Sequence, residues 1–336
     1  MSVKLNILIT GANGFIGSRL LKYFSEKKEL RVTGLVRETS NLFQFGDRRY
    51  ELLYASINDP LKEITKGFDA VIHTAAKSSD WGNYDGFYKN NVEGAVNLIT
   101  ASIQSGVRRF IHFSSTVVYG FKGNLKTPEN KVKNPFNNNY CLTKSLAEEK
   151  LTAFKERIEL IILRPSNVFG RMDTTFTYSF FKTIENGLFG WPNGGRTLTS
   201  PCYVKNLVSA TEKALYTVNG IGEAYNITDG YDIPWSLFLS MAAEAIKVKP
   251  PRFPVPSGPL YIISWVLDNI YKLAGSKKPP VITPYRIAMT SKDYSFSIEK
   301  ARSLLKYTPP YTTEEGIRES AGWYHEYKKI LDGHLY

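Results

Sequence analysis

Residues 7–20, ILITGANGFIGSRL, join a run of aliphatic residues to an amphipathic pattern through three glycines spaced three apart. This arrangement is typical of a β-strand that turns directly into a helix, because glycine allows a tight turn and a close approach of the backbone. The N–H groups and the dipole of such a helix N-terminus attract phosphate groups. The segment therefore predicts a dinucleotide-binding cradle, and the residues assigned to it are Gly11, Asn13, Gly14, Phe15, Ile16 and Gly17.

The first half of the chain alternates short β-branched runs with helical patterns. The predicted strands are KLNILIT, LRVTGLVR, DAVIHTAA, RRFIHFSS and IELIILRP, and the predicted helices are FIGSRLLKYFSEK, YKNNVEGAVNLITASIQSG and NYCLTKSLAEEKLTAFKER. Strands that alternate with helices indicate βαβ units around a parallel sheet that is buried on both faces. The predicted fold class is therefore α/β, with a Rossmann-type doubly wound parallel sheet.

A second lobe is predicted from about Ser166 onwards, where aromatic residues, glycine and proline become dense. Within this part, YVKNLVSATEKAL and EAYNITD are interpreted as a return of the chain to the sheet. The predicted dinucleotide-binding domain therefore covers residues 1–165 and about 203–230. A smaller mixed C-terminal lobe, expected to bind the substrate, covers 166–202 and about 231–336.

Composition and charge narrow the classes of partner. The chain of 336 residues has a formal net charge of +12 and two cysteines, Cys141 and Cys202. Two thiols cannot build a disulfide framework and the N-terminus carries no secretory signal pattern, so a cytoplasmic protein is expected. The positive charge would suit nucleic acid or an anionic membrane, but the cations are spread out and no zinc spacing or RNA-binding motif accompanies them. The sequence therefore predicts neither a nucleic-acid partner nor a metal site.

The end of the second predicted strand bears on the choice between the two nicotinamide cofactors. An acid about 20 residues after the glycine loop usually binds the adenosine ribose hydroxyls of NAD, whereas a nearby arginine suits the 2′-phosphate of NADP. Here Val36 is followed by Arg37 and Glu38. Arg37 favours NADP(H) over NAD(H), and Glu38 keeps NAD(H) as the alternative.

Tyr140 and Lys144 lie four residues apart in a predicted helix, which places them on one face. A phenol has an ordinary pKa of about 10, and a nearby ammonium together with the positive oxidised nicotinamide would lower it. Tyr140 could then exchange a proton with a substrate hydroxyl or carbonyl near neutral pH. Ser114 and Ser115 end a predicted strand at the sheet edge where open α/β folds bind ligands, so a serine there could donate to the same oxygen. For Ser114, hydrogen bonding at the strand end is the preferred interpretation.

Six motifs occur in the order and spacing of a known superfamily. The segments TGANGFIG, HTAAK, NNVEG, SSTVVYG, Tyr140-x-x-x-Lys144 and LRPSNVFG resemble the extended short-chain dehydrogenase/reductase superfamily, also described as the NAD-dependent epimerase/dehydratase family. The resemblance spans the whole chain. It implies an enzyme that begins by moving a hydride between a substrate carbinol and a nicotinamide cofactor.

The resemblance also implies roles for individual residues. Ser115 matches the serine that orients the substrate, and Tyr140 matches the acid/base. Lys144 matches the residue that binds the nicotinamide ribose and tunes the tyrosine, and Asn91 matches the asparagine that supports the proton relay. The other residues assigned to the cofactor are Ser56, Ile57, Ala75, Ala76, Lys77, Pro165, Ser166, Asn167 and Val168. Relatives form homodimers through helices that correspond to residues near 86–105 and 140–156, so a homodimer is expected.

Further segments point to one branch of that superfamily. Its dehydratases carry an Asp-Glu pair after the orienting residue, and Thr116 and Val117 at these positions argue against dehydration. AAKSSDWGNYDGFYKNNVEGAVNLI and YSFSIEKARSLLKYTPPYTTEEGIRESAGWYHEY are similar to the 3β-hydroxysteroid dehydrogenase branch, which includes sterol-4-carboxylate dehydrogenases. The predicted enzyme is an NAD(P)-dependent oxidoreductase. It acts on a secondary alcohol or ketone of a bulky apolar small molecule such as a 3β-hydroxysteroid, a sterol or a β-hydroxy acid.

Two alternatives stay open at this point. A nucleotide-sugar epimerase of the same superfamily would hold its diphosphate through Arg171, Lys182 and Arg196 of the second lobe. A cofactor-binding scaffold or redox sensor without turnover is the other alternative. The complete set of candidate proton-transfer residues argues against the scaffold.

Residues 259–275, PLYIISWVLDNIYKLAG, predict a helix that is apolar except for a stripe of Ser264, Asp268 and Lys272. The segment is too short to span a bilayer, which takes about 20 apolar residues. The cations that flank it are Lys247, Lys249, Arg252, Lys277 and Lys278. The preferred interpretation is buried core or the wall of an apolar pocket, and the alternative is a helix that contacts a membrane surface peripherally.

Overall fold

The computed structural model describes residues 4–187, 190–250 and 254–333. Within these residues the strands are β1 (Leu5–Thr10), β2 (Leu30–Val36), β3 (Glu51–Tyr54), β4 (Ala70–His73), β5 (Arg109–Phe113), β6 (Asn124–Thr127), β7 (Glu159–Pro165), β8 (Asn167–Phe169), β9 (Trp191–Pro192), β10 (Leu198–Thr199), β11 (Pro201–Tyr203), β12 (Ala224–Ile227), β13 (Ile233–Pro234), β14 (Pro254–Val255) and β15 (Tyr294–Phe296). The α-helices are α1 (Phe15–Ser25), α2 (Lys62–Thr65), α3 (Tyr84–Tyr88), α4 (Gly94–Gln104), α5 (Asn139–Thr152), α6 (Phe176–Glu185), α7 (Val204–Tyr216), α8 (Trp235–Ala245), α9 (Ser257–Leu273), α10 (Pro284–Ser291), α11 (Glu299–Leu304) and α12 (Thr313–Leu331). A π-helical turn at Lys89–Glu93 joins α3 to α4, and 3₁₀ turns occur at Phe43–Phe45, Thr116–Tyr119 and Asn193–Gly195.

The central sheet has seven parallel strands in the order β12-β7-β5-β4-β1-β2-β3. This arrangement confirms the predicted α/β class and the doubly wound parallel sheet. The strand order runs outward in both directions from the pair β1 and β4. Such a switch point opens a crevice at the carboxyl ends of the strands, which is where open α/β sheets bind their ligands.

Helices cover both faces of this sheet, and β1 shows why its sequence is aliphatic throughout. Ile7 and Ile9 belong to the core on one face, whereas Leu8 belongs to the core on the other, and all three are fully buried. Alternate residues of a strand point to opposite faces, so a strand buried on both faces needs an uninterrupted apolar run.

Two features of the sheet differ from the expectations drawn from the sequence. Strand β3 was absent from the predicted strands, and its short segment ELLY is only partly buried at the edge of the sheet. YVKNLVSATEKAL, which was interpreted as a return to the sheet, contains helix α7, which packs against β5 and β7. EAYNITD does return to the sheet, as the edge strand β12.

The remaining elements form a smaller lobe around a mixed four-stranded sheet in the order β13-β10-β15-β6. Strands β10 and β13 are antiparallel, and the other neighbours are parallel. An aromatic core that includes Phe180, Phe238 and Tyr324 lies between helices α6, α8 and α12. Because β6 comes from the first half of the chain, this lobe is interleaved with the larger one.

Helix α9 is not part of the core. Of its residues, only Ser264 and Asp268 are buried, so the interpretation of this segment as buried core is wrong. Arg252, one of the cations expected to flank the helix, lies outside the described residues. No helix in the described part of the chain combines the length and the apolar character needed to cross a membrane.

Candidate active site

In the glycine loop between β1 and α1, backbone segments lie in close contact with one another. Gly11 follows β1 with φ of +65°, and a Cβ on it would lie 2.8 Å from backbone atoms of Ala75. A Cβ on Gly17 would overlap the carbonyl oxygen of Gly11 and lie 2.8 Å from its carbonyl carbon. Side chains are therefore excluded, and the first turn of α1 packs directly on the end of β1.

The start of α1 offers its N–H groups to an anion. Gly14 is the N-cap, and in the described structure no side chain caps the helix and no acidic residue lies in its first turn. After β7, three strand positions from β1 in the sheet, the buried hydroxyl of Ser166 has no hydrogen-bond partner among the described residues, although its backbone N–H donates to Ile227 O at 3.1 Å. A bare helix N-terminus beside a tight glycine turn fits the pyrophosphate of a dinucleotide.

Replacing Gly17 with alanine should weaken cofactor binding. The new methyl group must displace the Gly11 carbonyl, and overpacking of this kind costs about 1–3 kcal/mol. We expect the Kd for the nicotinamide dinucleotide to rise roughly tenfold or more in isothermal titration, since tenfold corresponds to about 1.4 kcal/mol. Gly322→Ala is the matched control, because a Cβ there meets no atom within 4 Å. An unchanged Kd for Gly17→Ala would contradict the assignment of this loop.

The cofactor residues assigned from the sequence lie after the strands of the sheet. Arg37 is exposed beyond β2, and its backbone N–H donates to Ser40 Oγ at 3.0 Å. Ser56 and Ile57 follow β3, and Ile57 packs against the position of Gly94 on α4. Pro165 ends β7, and the residues up to Val168 continue into β8. The structure thus brings these assigned segments to one edge of the sheet, around the glycine loop.

Asn91 ties the loop after β4 to helix α5. It is buried in the π-helical turn, where its Oδ1 accepts from the Lys77 backbone N–H at 2.7 Å and its Nδ2 donates to Lys77 O at 3.1 Å. The same Nδ2 donates to Thr143 Oγ1 at 3.1 Å. Ala75, Ala76 and Lys77 are thereby held beside the helix that carries the candidate acid/base.

Tyr140 and Lys144 both lie on α5, which begins after Asn138, whose side chain accepts from the Tyr140 N–H at 2.9 Å. Lys144 is buried, and its Nζ donates to the carbonyl oxygen of Phe113, the last residue of β5, at 2.6 Å. Ser115 follows two residues later, and its hydroxyl lies close enough to the side chain of Tyr140 to lower the pKa of that phenol. The three residues predicted to carry proton transfer are therefore together at the carboxyl end of β5.

The electrostatics of this group differ from the simplest expectation. Burial raises the pKa of Tyr140 from 10 to about 12, and the nearby Ser115 hydroxyl offsets this only in part. Burial lowers the pKa of Lys144 from 10.5 to about 8, while the nearby carboxylate of Glu148 acts in the opposite direction. In this arrangement the protein's own groups raise the pKa of the phenol rather than lower it. The expected lowering depends on the additional positive charge of an oxidised nicotinamide.

A buried ion pair lies beneath the candidate site. Arg164 donates to both oxygens of Glu148, at 2.9 and 2.6 Å, and to Tyr119 Oη at 2.7 Å. The Ser114 hydroxyl also donates to Glu148, which confirms the preference for a strand-end hydrogen bond at that serine. Burial alone lowers the pKa of Arg164, but its bonds to Glu148 outweigh burial and raise that pKa above its ordinary value. This network fixes the end of β5 against α5.

Sequence reasoning did not identify Thr143, Glu148 or Arg164. Glu148 lies four residues after Lys144 and so shares its helical face, which is a signal that the spacing did contain. Arg164 is a cation within the apolar run of β7, where a charge needs a partner. Thr143 offers no signal in the sequence, because its role depends on the approach of Asn91.

Two histidines lie beneath the same sheet edge without a proton-transfer role. His73 and His112 are buried on neighbouring strands with ring centroids 5.3 Å apart. Burial and the Lys144 charge lower the pKa of His73 to about 3 and that of His112 well below its ordinary value. Both rings are therefore neutral. The described residues contain no cluster of side chains suited to a metal ion.

The cations assigned to the epimerase alternative lie in different surroundings. Arg171 pairs with Glu326 of α12 at 2.9 Å. The Lys182 ammonium lies 5.8 Å from the ring centroid of Tyr178, which itself packs on α12. Arg196 is exposed at the end of the third 3₁₀ turn. The fold therefore holds two of the three cations against α12 through contacts within the chain.

Comparison with known families gives a match that covers the sheet and the candidate site. Residues 7–228 match the NAD dependent epimerase/dehydratase family. This chain belongs to that family. The match includes the glycine loop, Ser115, Tyr140 and Lys144, and it confirms the family resemblance drawn from the motifs.

Individual relatives of this family are similar along nearly the whole chain. The 3beta-hydroxysteroid-dehydrogenase/decarboxylase isoform 1 of Arabidopsis thaliana is 29% identical over 93% of this chain and 78% of the relative. The N-acetyl-alpha-D-glucosaminyl-diphospho-ditrans,octacis-undecaprenol 4-epimerase of Escherichia coli O157:H7 is 28% identical over 93% of each chain. The first relative is named as a hydroxysteroid dehydrogenase, and the second is an epimerase whose named substrate is an undecaprenol-linked sugar rather than a nucleotide sugar.

A solved structure shows the same fold. The UDP-Glucuronic acid 4-epimerase from Bacillus cereus in complex with NAD superimposes with a TM-score of 0.76 at 22% identity, covering 96% of this chain and 99% of that chain. The chain described here therefore has an NAD-binding fold of the epimerase/dehydratase family. It is an enzyme of the extended short-chain dehydrogenase/reductase type.

Proposed function

We propose that this protein is an NAD(P)-dependent oxidoreductase that acts on the secondary alcohol or ketone of a bulky apolar substrate. The observation that carries the proposal is the surroundings of Tyr140. The apolar cluster beyond the carboxyl end of β5 includes Phe121 and Tyr294, and Tyr140 packs against it together with Phe136 and with Tyr285 and Met289 of α10. An acid/base that is set among aromatic and aliphatic side chains suits a substrate with a large apolar body.

The names of the two relatives support the same substrate class. One is a hydroxysteroid dehydrogenase, and the other acts on a diphosphosugar joined to undecaprenol. A hydroxysteroid and undecaprenol each have a large hydrocarbon portion. This common feature favours a bulky apolar group in the substrate of the present chain, either a sterol-like compound or a β-hydroxy acid.

The residues divide the proposed reaction between them. The glycine loop and the first turn of α1 bind the pyrophosphate, and Lys144 binds the nicotinamide ribose. The bound nicotinamide supplies or accepts the hydride. Ser115 orients the substrate oxygen by donating a hydrogen bond, and Tyr140 moves the proton at its Oη. Asn91 keeps the loop after β4 in place beside α5.

We infer that NADP(H) is preferred to NAD(H), because Arg37 lies exposed at the end of β2, in the region where a 2′-phosphate is bound in such folds. Replacing Arg37 with alanine should raise the KM for NADPH about tenfold or more, since a hydrogen bond to a charged group contributes roughly 1.5–3 kcal/mol. The KM for NADH should change little. Arg31→Ala, on the same strand and paired with Glu51, is the control. A wild-type preference for NADH would refute the inference.

The alternative, a nucleotide-sugar epimerase, is tested directly. We expect no heat of binding when UDP- and dTDP-sugars are titrated into the protein, and we expect oxidation or reduction at 340 nm with a panel of 3β-hydroxysteroids and long-chain β-keto esters. Micromolar binding of any nucleotide sugar would favour the epimerase and refute the apolar-substrate proposal. A native mass spectrum of freshly purified protein would add an independent test through any cofactor or lipid retained by it.

We propose that the two lobes bind different molecules. Residues 1–165 and about 203–230 would bind the dinucleotide, and residues 166–202 and about 231–336 would shape the substrate pocket, with strand β6 linking the two. We propose a homodimer through the helices near 86–105 and 140–156. Sedimentation equilibrium of the purified protein tests this proposal, and a monomer at micromolar concentration would contradict it.

A further inference from the structure

Helix α9 buries Ser264 and Asp268 of its polar stripe and exposes its apolar side, the reverse of an ordinary surface helix. Ser264 is fully buried, and its hydroxyl donates to Tyr261 O at 2.7 Å. Asp268 is buried as well, and it pairs with Lys272 at 2.5 Å. Both contacts lie within α9, and the packing of α9 on α10 determines which side of the helix faces the protein.

The outward side forms one continuous apolar face. Ile262, Val266, Ile270 and Leu273 follow one another at steps of three and four residues, so they share a side of the helix. Their exposed fractions are 64, 43, 52 and 90%. Trp265 borders this face and is 56% exposed. Contiguous apolar surface of this kind marks an interaction site in a soluble protein.

Along the chain, the unpaired charges on either side of this face have one sign. The exposed cations that flank it are Lys247, Lys249, Lys272, Lys277 and Lys278, whereas Asp268 is the one acidic residue between positions 246 and 282 and is already paired with Lys272. An apolar face with a cationic border and an aromatic residue at its edge matches the chemistry of an anionic membrane interface. We propose that α9 docks, parallel to the surface, on a bilayer that contains anionic lipids.

A second copy of the chain fits this face less well. A two-fold symmetric contact through α9 would place the flanking lysines of one copy near those of the other, and their like charges would repel. An anionic lipid surface removes this repulsion and supplies counter-charges. The charge pattern therefore selects a lipid surface as the occupant.

The docked helix would lie next to the candidate active site. Helix α10 packs on α9, and its Tyr285 and Met289 contact the apolar cluster around Tyr140. At the other end, Trp81 Nε1 donates to Ser276 O at 3.0 Å, just beyond α9. An apolar substrate could then enter from the bilayer without crossing water. This consequence rests on the proposed function, whereas the docking itself does not.

Vesicle flotation of the full chain tests the docking. We expect the protein to float with vesicles of phosphatidylcholine and phosphatidylglycerol at a 60:40 molar ratio, and to stay at the bottom with pure phosphatidylcholine. Lys277→Ala combined with Lys278→Ala should weaken binding roughly 30-fold, because each lysine near an anionic surface contributes about 1 kcal/mol, or about fivefold. The triple variant Ile262→Ser, Val266→Ser, Ile270→Ser should lose flotation.

Matched controls separate docking from misfolding and from self-association. Val132→Ser combined with Val218→Ser removes two other exposed aliphatic side chains, and this variant should float as the wild type does. Brominated lipids should quench the tryptophan fluorescence of the wild type through Trp265, and this quenching should be absent from Trp265→Phe. Circular dichroism should show every variant to be folded. Absence of flotation by the wild type would overturn the proposal. An oligomer that dissociates in the triple variant, without vesicle binding by the wild type, would assign the face to a second copy instead.

Discussion

Replacing Tyr140 with phenylalanine is expected to lower kcat by about 10²–10⁴-fold, which is the usual contribution of a positioned general acid or base. The substitution removes one oxygen atom and keeps the ring that packs against the cluster around Phe121 and Tyr285. The fold and the Kd of the nicotinamide cofactor should therefore remain as in the wild type. The measurement is the initial rate at 340 nm with a steroid or β-keto ester that the wild type turns over.

Tyr216→Phe is the matched control for this experiment. Tyr216 ends α7 and is 48% exposed, so loss of its hydroxyl should leave kcat unchanged. If Tyr140→Phe keeps full turnover while it binds the cofactor normally, another group must move the proton. The assignment of the acid/base would then have to be abandoned, together with the proposed roles of Ser115 and Lys144.

Replacing Glu148 with alanine should destabilise the whole protein. Glu148 is 1% exposed and accepts two hydrogen bonds from Arg164, so its loss leaves a buried guanidinium without its counter-charge. Breaking one partner of a buried pair costs about 3–5 kcal/mol. We expect the free energy of unfolding, measured by urea denaturation, to fall by about that amount.

The neighbouring residue gives the control for this effect. Glu149 follows directly on the same helix and is exposed, so Glu149→Ala should change the free energy of unfolding by no more than about 0.5 kcal/mol. A variant that replaces both members of the pair, Glu148→Leu with Arg164→Met, should recover part of the loss, because no buried charge remains. Equal stability of Glu148→Ala and the wild type would show that the pair does not hold α5 against β7.

The sequence predicted the parts of the site that depend on short spacings. The glycine loop and the pair Tyr140 and Lys144 lie within single turns or single helices, so their geometry follows from local rules. Strand β3 escaped prediction because four residues at a sheet edge carry too little pattern to separate them from a loop. The Glu148 and Arg164 pair depends on two elements that meet only in the folded chain, so no local sequence pattern could predict its geometry.

Helix α9 shows a different limit of sequence reasoning. The periodicity correctly placed Ser264, Asp268 and Lys272 along one side of a helix. It did not reveal which side faces the protein, and the usual rule that apolar residues turn inward gave the wrong answer for this segment. Contacts with α10 decide the orientation, and these lie outside any window of the helix itself.

The π-helical turn at Lys89–Glu93 changes the direction in which side chains point along the helical segment around it. It accommodates one residue more than an α-helical turn, and each residue advances a helix by about 100°, so the sides before and after the turn point in different directions. Phe87 can thus lie beneath the Lys77 ammonium while Leu98 and Ile99 remain in the core. A one-residue gap at this turn in an alignment with a relative would therefore mean that the relative's residue matching Asn91 points in a different direction. It would not mean merely that the relative's chain is one residue shorter.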